Sequence, residues 1–425
     1  MTVTTAQIPT DTWQSARLKF TAPLRNERTA AGSDHSDYLG LENIESWTGR
    51  IIEPEPKPNE ESDGDSGLAN IFREGDVLFG KLRPYLAKAC HAPRNGVCST
   101  ELLVMRPAKT VHPRFLLYFV LTPDFVGIVD ASTFGAKMPR ASWDFIGSLE
   151  IRLPPIETQS IIANYLDRET ARIDALIAEK ERMLALLEEK RAALISRAVT
   201  RGLDTNAPLK PSGQEWLDEI PAHWEVRPLK RSSSRIDTGT TPAASFMDGS
   251  LPSDFTWFTP SDFEHGGVIT ESNRKIPQEA VDEGEAKVFP AHSLMVIGIG
   301  ATLGKVASSS AEFSANQQIN VITPLASVHW DYLLYVLQGY EHVFRAHANS
   351  ATLPILNQER LGVIQVPVPP STEQNAIVRR LNESRAAYTK VNRSLSNSIS
   401  LLKERRAVLI TAAVTGQIPI EEMQP

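Results

Sequence analysis

The feature that most constrains this chain is a long segment that occurs twice. Residues 153–200 and 368–415 align at a constant offset of 215 positions without a gap. An ungapped match of this length indicates internal duplication, and two copies at so long a period are duplicated halves rather than a solenoid. Positions shared by both copies include Pro154/Pro369, Pro155/Pro370, Gln159/Gln374, Leu166/Leu381, Arg191/Arg406 and Leu194/Leu409.

Both copies have the apolar periodicity of one long helix. Their large side chains follow a seven-residue grid, which Lys180 interrupts in the first copy. A companion row is predicted four residues earlier, at Ile162, Leu176 and Met183, so that the two rows form one seam. Apolar repeats of this spacing over a long helix predict a coiled coil. The predicted seam residues are Leu166, Ile173, Leu187, Leu194, Leu381, Tyr388, Leu395, Leu402 and Leu409.

The ends of both helices are marked by residues that stop or cap a helix. A Pro-Pro pair prevents extension toward the N-terminus, and Thr158 and Thr372 are predicted to cap the first turns. Gly202 and Gly416 are predicted to end the helices. Roughly 45 residues at about 1.5 Å each give a rod of about 65–70 Å. The simplest partner for each seam is the other copy; the alternative is an exposed helix that dimerises between chains.

Length, charge and cysteine content restrict the class of protein. A chain of 425 residues exceeds one ordinary core, so two or more domains are expected. The net charge of −7 disfavours a generic polyanion binder but allows local basic faces. Two cysteines are too few for a disulfide framework or a zinc site. The sequence has neither an apolar signal core nor a run of about 18 apolar residues, so a cytoplasmic protein without a membrane segment is expected.

The segments before the two helices are predicted to be globular and similar to each other. Both alternate strand-like and helical runs with Gly/Pro turns, and Trp13 and Lys88 in the first are echoed by Trp224 and Lys305 in the second. The predicted fold class is therefore α+β, with two similar mixed α/β domains, two long α-helices and a pseudo-twofold internal repeat. The predicted boundaries are 1–153 for the first globular domain, 154–203 for the first long helix, 204–223 for a linker, 224–368 for the second globular domain, and 369–425 for the second long helix with a C-terminal tail.

Three local predictions follow from composition and spacing. Residues 53–65 carry six acidic residues and three prolines, which favours an exposed loop. Residues 111–129 have the apolar face of a single helix. Residues 296–304 place three glycines after a strand; because a weakly helical segment follows, a strand–turn–strand hairpin is favoured over a phosphate-binding loop.

Sequence signatures of catalysis are missing from the chain. The Asn/Asp-Pro-Pro-aromatic tetrapeptide of methyltransferases does not occur, because the Pro-Pro pairs are followed by Ile156 and Ser371. No Walker A stretch occurs, and the nine histidines form no metal-binding spacing. We therefore predict neither catalytic residues nor a metal site.

Binding chemistry is better represented, mainly in turns. Lys and Arg beside an aromatic residue suit phosphate contact and base stacking. Asn and Gln amides can pair with adenine, and Arg or Lys with guanine, in the major groove. An ordinary exposed polar side chain is the alternative for each residue alone. The candidate DNA-binding residues are Arg83, Tyr85, Lys88, Lys137, Arg140, Thr302, Lys305, Gln317, Asn357 and Gln358.

The layout resembles the specificity subunits of type I restriction–modification systems. The resemblance rests on two variable modules, each followed by a repeated long helix that begins with Pro-Pro and a nearby Gln. Residues 212–226 (SGQEWLDEIPAHWEV), 75–78 (GDVL) and 82–86 (LRPYL) also fit that family. It implies two target-recognition domains that each read one half of a split DNA sequence. The two long helices would form an antiparallel coiled coil that sets the spacing.

The resemblance also implies the partners. They are double-stranded DNA, two methyltransferase (M) subunits docked on the helices, and motor–nuclease (R) subunits. This chain would be a non-catalytic subunit without a cofactor, and S-adenosylmethionine, ATP and Mg would be bound by the partner subunits. The region 301–305 lacks the Arg-Pro-Tyr cluster of the first half. Two other classes remain open, a lone methyltransferase and a coiled-coil protein–protein scaffold without sequence-specific DNA binding.

Overall fold

The computed structural model describes residues 13–30, 38–52, 68–247, 254–263, 267–349 and 354–424. The acidic loop predicted at 53–65 lies outside the described residues. The chain divides into two compact units, residues 1–181 with 396–425 (the first unit) and residues 182–395 (the second unit). Each unit therefore contains a globular part together with segments of both long helices.

The first long helix is Ile156–Arg201 and the second is Ser371–Val414. The carbonyls of Pro155 and Pro370 accept the first helical hydrogen bonds, each at 3.0 Å from the amide four residues later. Proline suits this place because its missing N–H would have no partner at a helix start. The predicted caps Thr158 and Thr372 are therefore wrong, because both lie inside the first turn.

In the first unit the two long helices run antiparallel and share one core. Ile162 and Leu166 of the first helix lie in the same buried cluster as Ile410 and Ala413 of the second. The order of the contacts gives the direction, since Asp174 contacts Arg406 and the later Glu181 contacts the earlier Lys403. This packing buries one apolar stripe of each helix segment.

In the second unit the other ends of the same helices pack together. Ile195 and Val199 lie in one buried cluster with Ile377 and Leu381. Further along, the hydroxyl of Tyr388 donates to Glu188 at 2.6 Å. Of the predicted seam residues, Leu166, Ile173 and Leu381 are buried, and the others are partly buried: Leu187, Leu194, Tyr388, Leu395, Leu402 and Leu409.

The companion row of the seam differs from the prediction in part, since Ile162 is buried as predicted but the other two residues are not. Leu176 and Met183 are 46% and 45% exposed, so they do not face the seam. The buried companions lie four residues after the grid positions, at Thr170 and Ile177, which are 4% and 8% exposed. This row was missed because it includes the polar Thr170 and, further along the helix, the charged Arg191, which carry no apolar signal.

The first globular part consists of small sheets covered by short helices. A strand pair, Gln14–Arg17 with Glu150–Leu153, leads the chain into the first long helix. A four-stranded sheet has the order Arg28–Ala30, Leu68–Phe72, Gly96–Cys98, Tyr38–Leu39, and a three-stranded sheet has the order Ala89–His91, Val77–Gly80, Leu102–Met105. The α-helices of this part are Leu18–Thr21, Pro113–Val120, Pro123–Ala131 and Trp143–Ile146.

The single helix predicted at 111–129 is two helices, Pro113–Val120 and Pro123–Ala131. The break occurs because Pro123 has no N–H for a continuous helix and suits a first turn. Thr122 caps the second helix, with its hydroxyl accepting from the amide of Phe125 at 3.3 Å.

The second globular part repeats this plan with one five-stranded and one three-stranded sheet. The strand pair Glu225–Pro228 with Gln365–Val368 leads into the second long helix. The hairpin predicted around residues 296–304 is confirmed, because Leu294–Ile297 pairs antiparallel with Val306–Ser308. The predicted linker region carries a strand pair, Leu209–Pro211 with Glu219–Pro221. The five-stranded sheet has the order Ser233–Thr238, Ile319–Pro324, Leu294–Ile297, Val306–Ser308, Gly267–Val268, and the three-stranded sheet Lys275–Ile276, Phe255–Phe258, Phe313–Ala315.

Short helices complete the chain, and one of them opens at a predicted site residue. Gln358–Val363 begins at Gln358, with Asn357 as its cap. The remaining α-helices are Gln278–Asp282, Trp330–Gln338, Glu341–His347 and Ile420–Met423.

A buried glutamine fixes the junction between globular part and long helix in each half. The side-chain carbonyl of Gln159 accepts from the amide of His112 at 2.8 Å, and its amide nitrogen donates to Thr110 O at 2.9 Å and Pro154 O at 2.8 Å. Gln374 repeats this set in the second half: His329 N at 2.8 Å, Ser327 O at 3.4 Å and Pro369 O at 2.9 Å.

A tyrosine forms a second equivalent link in each half. The hydroxyl of Tyr118 donates to Asp167 on the first long helix at 2.7 Å. The hydroxyl of Tyr335 donates to Asn382 on the second at 2.8 Å. The duplicated halves therefore keep the same attachment even where the acceptor has changed from a carboxylate to an amide.

Candidate nucleic-acid interface

In the first unit, two loops that carry predicted site residues are held together by backbone hydrogen bonds. The amide of Arg83 donates to Pro139 O at 2.8 Å, and the amide of Ala141 donates to Lys81 O at 2.9 Å. Leu82 and Arg140 form an isolated bridge between the same loops. Arg83, Tyr85, Lys137 and Arg140 are therefore brought to one loop pair, although more than 45 residues separate its two segments in the sequence.

The turn that presents Arg83 and Tyr85 has an unusual backbone. Arg83 and Ala87, on either side of the 3₁₀ turn Pro84–Leu86, have φ values of 49° and 45°. The left-handed region costs a residue with a Cβ atom of order 1–3 kcal/mol. Pro84 contributes, because the residue before a proline is disfavoured in the right-handed helical region. The result is an exposed Arg83 beside a Tyr85 that is 47% exposed.

Two of the predicted cations are engaged within the fold. Lys88 Nζ donates to the carbonyls of Leu41 at 2.7 Å and Ile44 at 2.9 Å. Arg140 donates to both carboxylate oxygens of Glu101, at 3.1 and 3.2 Å, and these hydrogen bonds raise the pKa of Arg140. Lys88 is thus tied to a neighbouring turn, whereas Lys137 is exposed.

Exposed apolar side chains lie in the same loop as Lys137 and were missed in the sequence. Phe134 is 65% exposed and Met138 is 47% exposed. Large apolar or aromatic side chains next to cations are used by nucleic-acid-binding proteins to stack on bases or to enter a base step. Both apolar residues lie close to a glycine in a loop segment, where an apolar side chain is not expected to enter the core. This pattern could have identified Phe134 and Met138 from the sequence.

In the second unit, three loops meet at Gly298. Its amide donates to Gln318 O at 2.8 Å, and its carbonyl accepts from the amide of Leu356 at 2.8 Å. A Cβ atom at this position would lie 2.6 Å from Asn320 Nδ2 and 2.8 Å from Leu356 O, so the close approach requires glycine. The loops joined here carry the predicted residues: Thr302 is partly buried, Lys305, Gln317 and Asn357 are exposed, and Gln358 is partly buried.

Asp237 is the centre of a polar cluster behind Gln358. Lys287 Nζ donates to Asp237 Oδ1 at 2.8 Å, and Arg235 donates to Asp237 Oδ2. Burial alone would raise the pKa of Asp237, but the hydrogen bonds from Lys287 and Arg235 outweigh it and hold that pKa below its usual value. Gln358 Nε2 donates to Thr238 Oγ1 at 2.8 Å and to Asp237 Oδ1 at 3.3 Å. Asp237 was not predicted from the sequence, because it lies 121 positions from Gln358 in the chain.

Within the ranges that the structure describes, no group of three or more His, Cys, Asp or Glu residues could hold a metal ion. Among the described helices, none has the length and apolarity needed to cross a membrane.

Two similar globular parts, each leading into a long helix, define an internally repeated protein. The chain belongs to the family of the type I restriction modification DNA specificity domain, which matches residues 22–184 and 221–400. The family resemblance noted in the sequence is therefore confirmed, as is the fold class of two mixed α/β domains with two long helices.

Relatives named as specificity subunits share low identity with the chain. It is 23% identical to the Type I restriction enzyme EcoDI specificity subunit of Escherichia coli over 167 residues, which cover 38% of this chain and 35% of that protein. It is 20% identical to the StySPI specificity subunit of Salmonella potsdam, covering 74% of this chain and 67% of that protein. It is 22% identical to the putative MjaX specificity subunit of Methanocaldococcus jannaschii, covering 82% and 79%.

Solved structures share the fold. A chain from a study of complex assembly and conformational transition of the type I R-M system has a TM-score of 0.73 and 21% identity, covering 96% of this chain and 98% of that chain. The HsdS subunit from Thermoanaerobacter tengcongensis has a TM-score of 0.50 and 20% identity, covering 96% and 97%.

Proposed function

We propose that this chain is the DNA sequence-recognition subunit of a type I restriction–modification complex and that each globular domain reads one half of a bipartite target. The observation that carries the proposal is the duplication of the binding loops within a chain of this family. One loop cluster centres on Arg83 and Pro139, and the other centres on Gly298. Two separate readers on one chain suit a target whose two specified parts are separated by unspecified bases.

The chemistry of the loops supports DNA as the ligand. Arg83, Lys137 and Lys305 are exposed cations in loops, which suit phosphate oxygens. Tyr85 and Phe134 offer exposed aromatic faces beside two of these cations. These exposed cations are compatible with a net charge of −7 for the whole chain, because an acidic protein can carry local basic faces.

The long helices are proposed to set the spacing of the half-sites and to dock two methyltransferase (M) subunits. Their lengths of 46 and 44 residues are nearly equal, as a spacer made from a duplicated element requires. Both helices also expose apolar side chains that a partner could cover: Leu176, Met183, Leu186, Val391, Leu401 and Val408. Motor–nuclease (R) subunits complete the proposed cytoplasmic complex. S-adenosylmethionine, ATP and Mg are bound by the partner subunits rather than by this chain.

A domain exchange tests the proposal. Residues 13–153 are replaced with the corresponding domain of another specificity subunit, and adenine methylation is mapped across the genome of cells that express the complex. The chimera should change one half of the methylated sequence and keep the other. The reciprocal exchange of residues 224–368 should change the second half alone. A change in both halves or in neither half would contradict the proposal, and a stable complex that methylates no defined sequence would favour a protein scaffold.

A further inference from the structure

The hydrogen bonds around Gln358 form a chain whose direction is fixed at both ends. At one end, Asn320 Nδ2 donates to the carbonyl of Leu356 at 2.7 Å. A backbone carbonyl can only accept, so the Nδ2 side of the Asn320 amide must face it. Asn320 is 3% exposed and has little freedom to choose another orientation.

The orientation of Asn320 determines the role of Thr238. The side-chain carbonyl of Asn320 lies 3.0 Å from Thr238 Oγ1, so the Thr238 hydroxyl must donate its single hydrogen there. Oγ1 is then an acceptor for any other partner. Gln358 lies 2.8 Å from the same oxygen and must present its amide N–H to it.

The hydrogen bonds of Asp237, at the other end of this series, require the same orientation of the Gln358 amide. Asp237 Oδ1 also accepts from Lys287 Nζ at 2.8 Å and from the amide of Thr238 at 2.9 Å. An ionised carboxylate only accepts, so Gln358 must also turn Nε2 toward Asp237, at 3.3 Å. Both hydrogens of the Gln358 amide are therefore used within the protein.

We infer that Gln358 reads a base of the second half-site as a hydrogen-bond acceptor only, through Oε1. No donor to Oε1 lies among the described residues. The bases that offer a matching donor in the major groove are adenine, through N6, and cytosine, through N4. The bidentate pairing of glutamine with adenine, which was considered from the sequence, needs a free amide N–H and is not available to this residue. This inference rests on the proposed function.

Thr238, Asn320 and Asp237 act as positioning residues in this scheme. They hold one of the two possible orientations of the Gln358 amide before DNA arrives, and a preorganised acceptor discriminates against bases that present an acceptor of their own. Thr238 is the sharpest position for a test, because serine retains the hydroxyl and valine keeps the shape without it.

The first experiment maps methylated sites in cells whose complex carries Gln358→Met, which keeps the length of the side chain and removes the amide. One base pair of the second half-site should lose its specification, with about tenfold less discrimination, and the first half-site should be unchanged. Gln278→Met is the matched control, because Gln278 also opens a short helix but donates to Asp282 of its own helix at 2.8 Å. A Gln358→Met complex with an unaltered site would overturn the inference.

The second experiment tests whether the orientation of the Gln358 amide matters, and not only the presence of this side chain. Thr238→Val should relax the same base pair that Gln358→Met relaxes, and Thr238→Ser should restore it. A melting curve for each complex reports whether a variant has lost stability instead. If Thr238→Val relaxes no position while remaining folded, the positioning role is wrong. A parent complex that methylates no defined sequence would instead contradict the proposed function itself.

A duplex with a base analogue tests whether Gln358 contacts the exocyclic amino group of the base. At the base pair identified by mapping, the exocyclic amino group is removed by using purine for adenine or 2-pyrimidinone for cytosine. The parent complex should bind this duplex about tenfold more weakly than the natural one, whereas the Gln358→Met complex should bind both equally. An equal loss in both complexes would show that Gln358 does not contact that amino group.

Discussion

Arg406 of the second long helix donates through Nε to Asp174 of the first at 2.9 Å, and its two other nitrogens donate to Trp47 O at 2.8 Å and Thr48 O at 3.1 Å. Arg406 is 7% exposed. One guanidinium therefore joins both helices and a loop of the globular part within the first unit. The repeat places Arg191 at the equivalent position of the first helix, where it pairs with Glu188 at 2.6 Å in a more exposed setting.

This difference predicts unequal costs for two equivalent substitutions. Arg406→Met should lower the free energy of unfolding by about 3 kcal/mol, because two part-buried carbonyls lose their donor and, among the described residues, Asp174 keeps its ion pair with Arg50. Arg191→Met should cost below about 1 kcal/mol, as for exposed ion pairs. Chemical denaturation of the purified chain measures both, and equal costs would contradict the assignment.

The duplicated glutamines should be equally important to the two junctions. Gln159→Met leaves the amide of His112 and the carbonyls of Thr110 and Pro154 without their partner, and should cost about 2–3 kcal/mol. Gln374→Met should cost a similar amount, since the same three kinds of group are exposed to loss. Thermal unfolding followed at two wavelengths checks this prediction. A neutral effect at either position would mean that water replaces the glutamine.

Two histidines of the first unit make stability depend on pH. Burial lowers the pKa of His91, and the charges of Arg114 and His112 lower it further. Burial also lowers the pKa of His112. The unfolded chain binds protons at these residues near pH 6.5, whereas the folded chain binds them only at lower pH. Their contribution is therefore complete above about pH 6.5 and is lost as the pH falls toward the folded values.

The His91→Gln variant should show this dependence directly. Between pH 7.5 and pH 5.5, the parent chain should lose more stability than the variant, because the variant cannot take up that proton in the unfolded state. Urea midpoints at the two pH values give the comparison. Equal losses of stability in both proteins would show that His91 does not contribute to the pH dependence.

The separation of the half-sites should follow the length of the helices. Seven residues inserted after Glu181, with seven more inserted before Ser396, keep the seven-residue grid in both helices. The added rise is about 10 Å, or about three base pairs at 3.4 Å each. The specified bases should stay the same and the gap between them should lengthen. An active complex with an unchanged gap in its methylated sites would show that the helices are not the spacer.

The sequence was most informative where a signal repeats along the chain. Leu166 and Leu381 showed the helix pair because the same apolar residue recurs at one spacing, and the Pro-Pro junctions showed where each helix begins. The companion row escaped detection because Thr170, which is buried, and Arg191, which is only partly buried, are not apolar. Burial of polar residues depends on the partner helix, which local sequence does not specify.

The positions of the loops could be predicted from the sequence, but the hydrogen-bonding partners of their side chains were less predictable. Arg83 and Lys137 are exposed, as expected of turn residues. Lys88 and Gln358 find their hydrogen-bond partners in distant segments, so their free donors and acceptors could not be counted from the sequence. Which end of an amide faces outward is a tertiary property.

The contrast between Arg83 and Lys88 gives the final prediction, which concerns the salt dependence of DNA binding. Each phosphate contact contributes about 0.9 to the slope of log K against log salt on duplex DNA. Arg83→Ala should therefore reduce the slope of the complex by about one, because its side chain is exposed in a proposed DNA-binding loop.

Lys88→Met should leave that slope unchanged and lower the melting temperature instead, because the carbonyls of Leu41 and Ile44 lose their donor. Both variants are assayed as complexes with the methyltransferase subunit, on one specific duplex across a salt series. A smaller slope for Lys88→Met would mean that its ammonium also reaches a phosphate. An unchanged slope for Arg83→Ala would place the phosphate contacts of the first domain elsewhere, with the exposed Lys137 as the next residue to change.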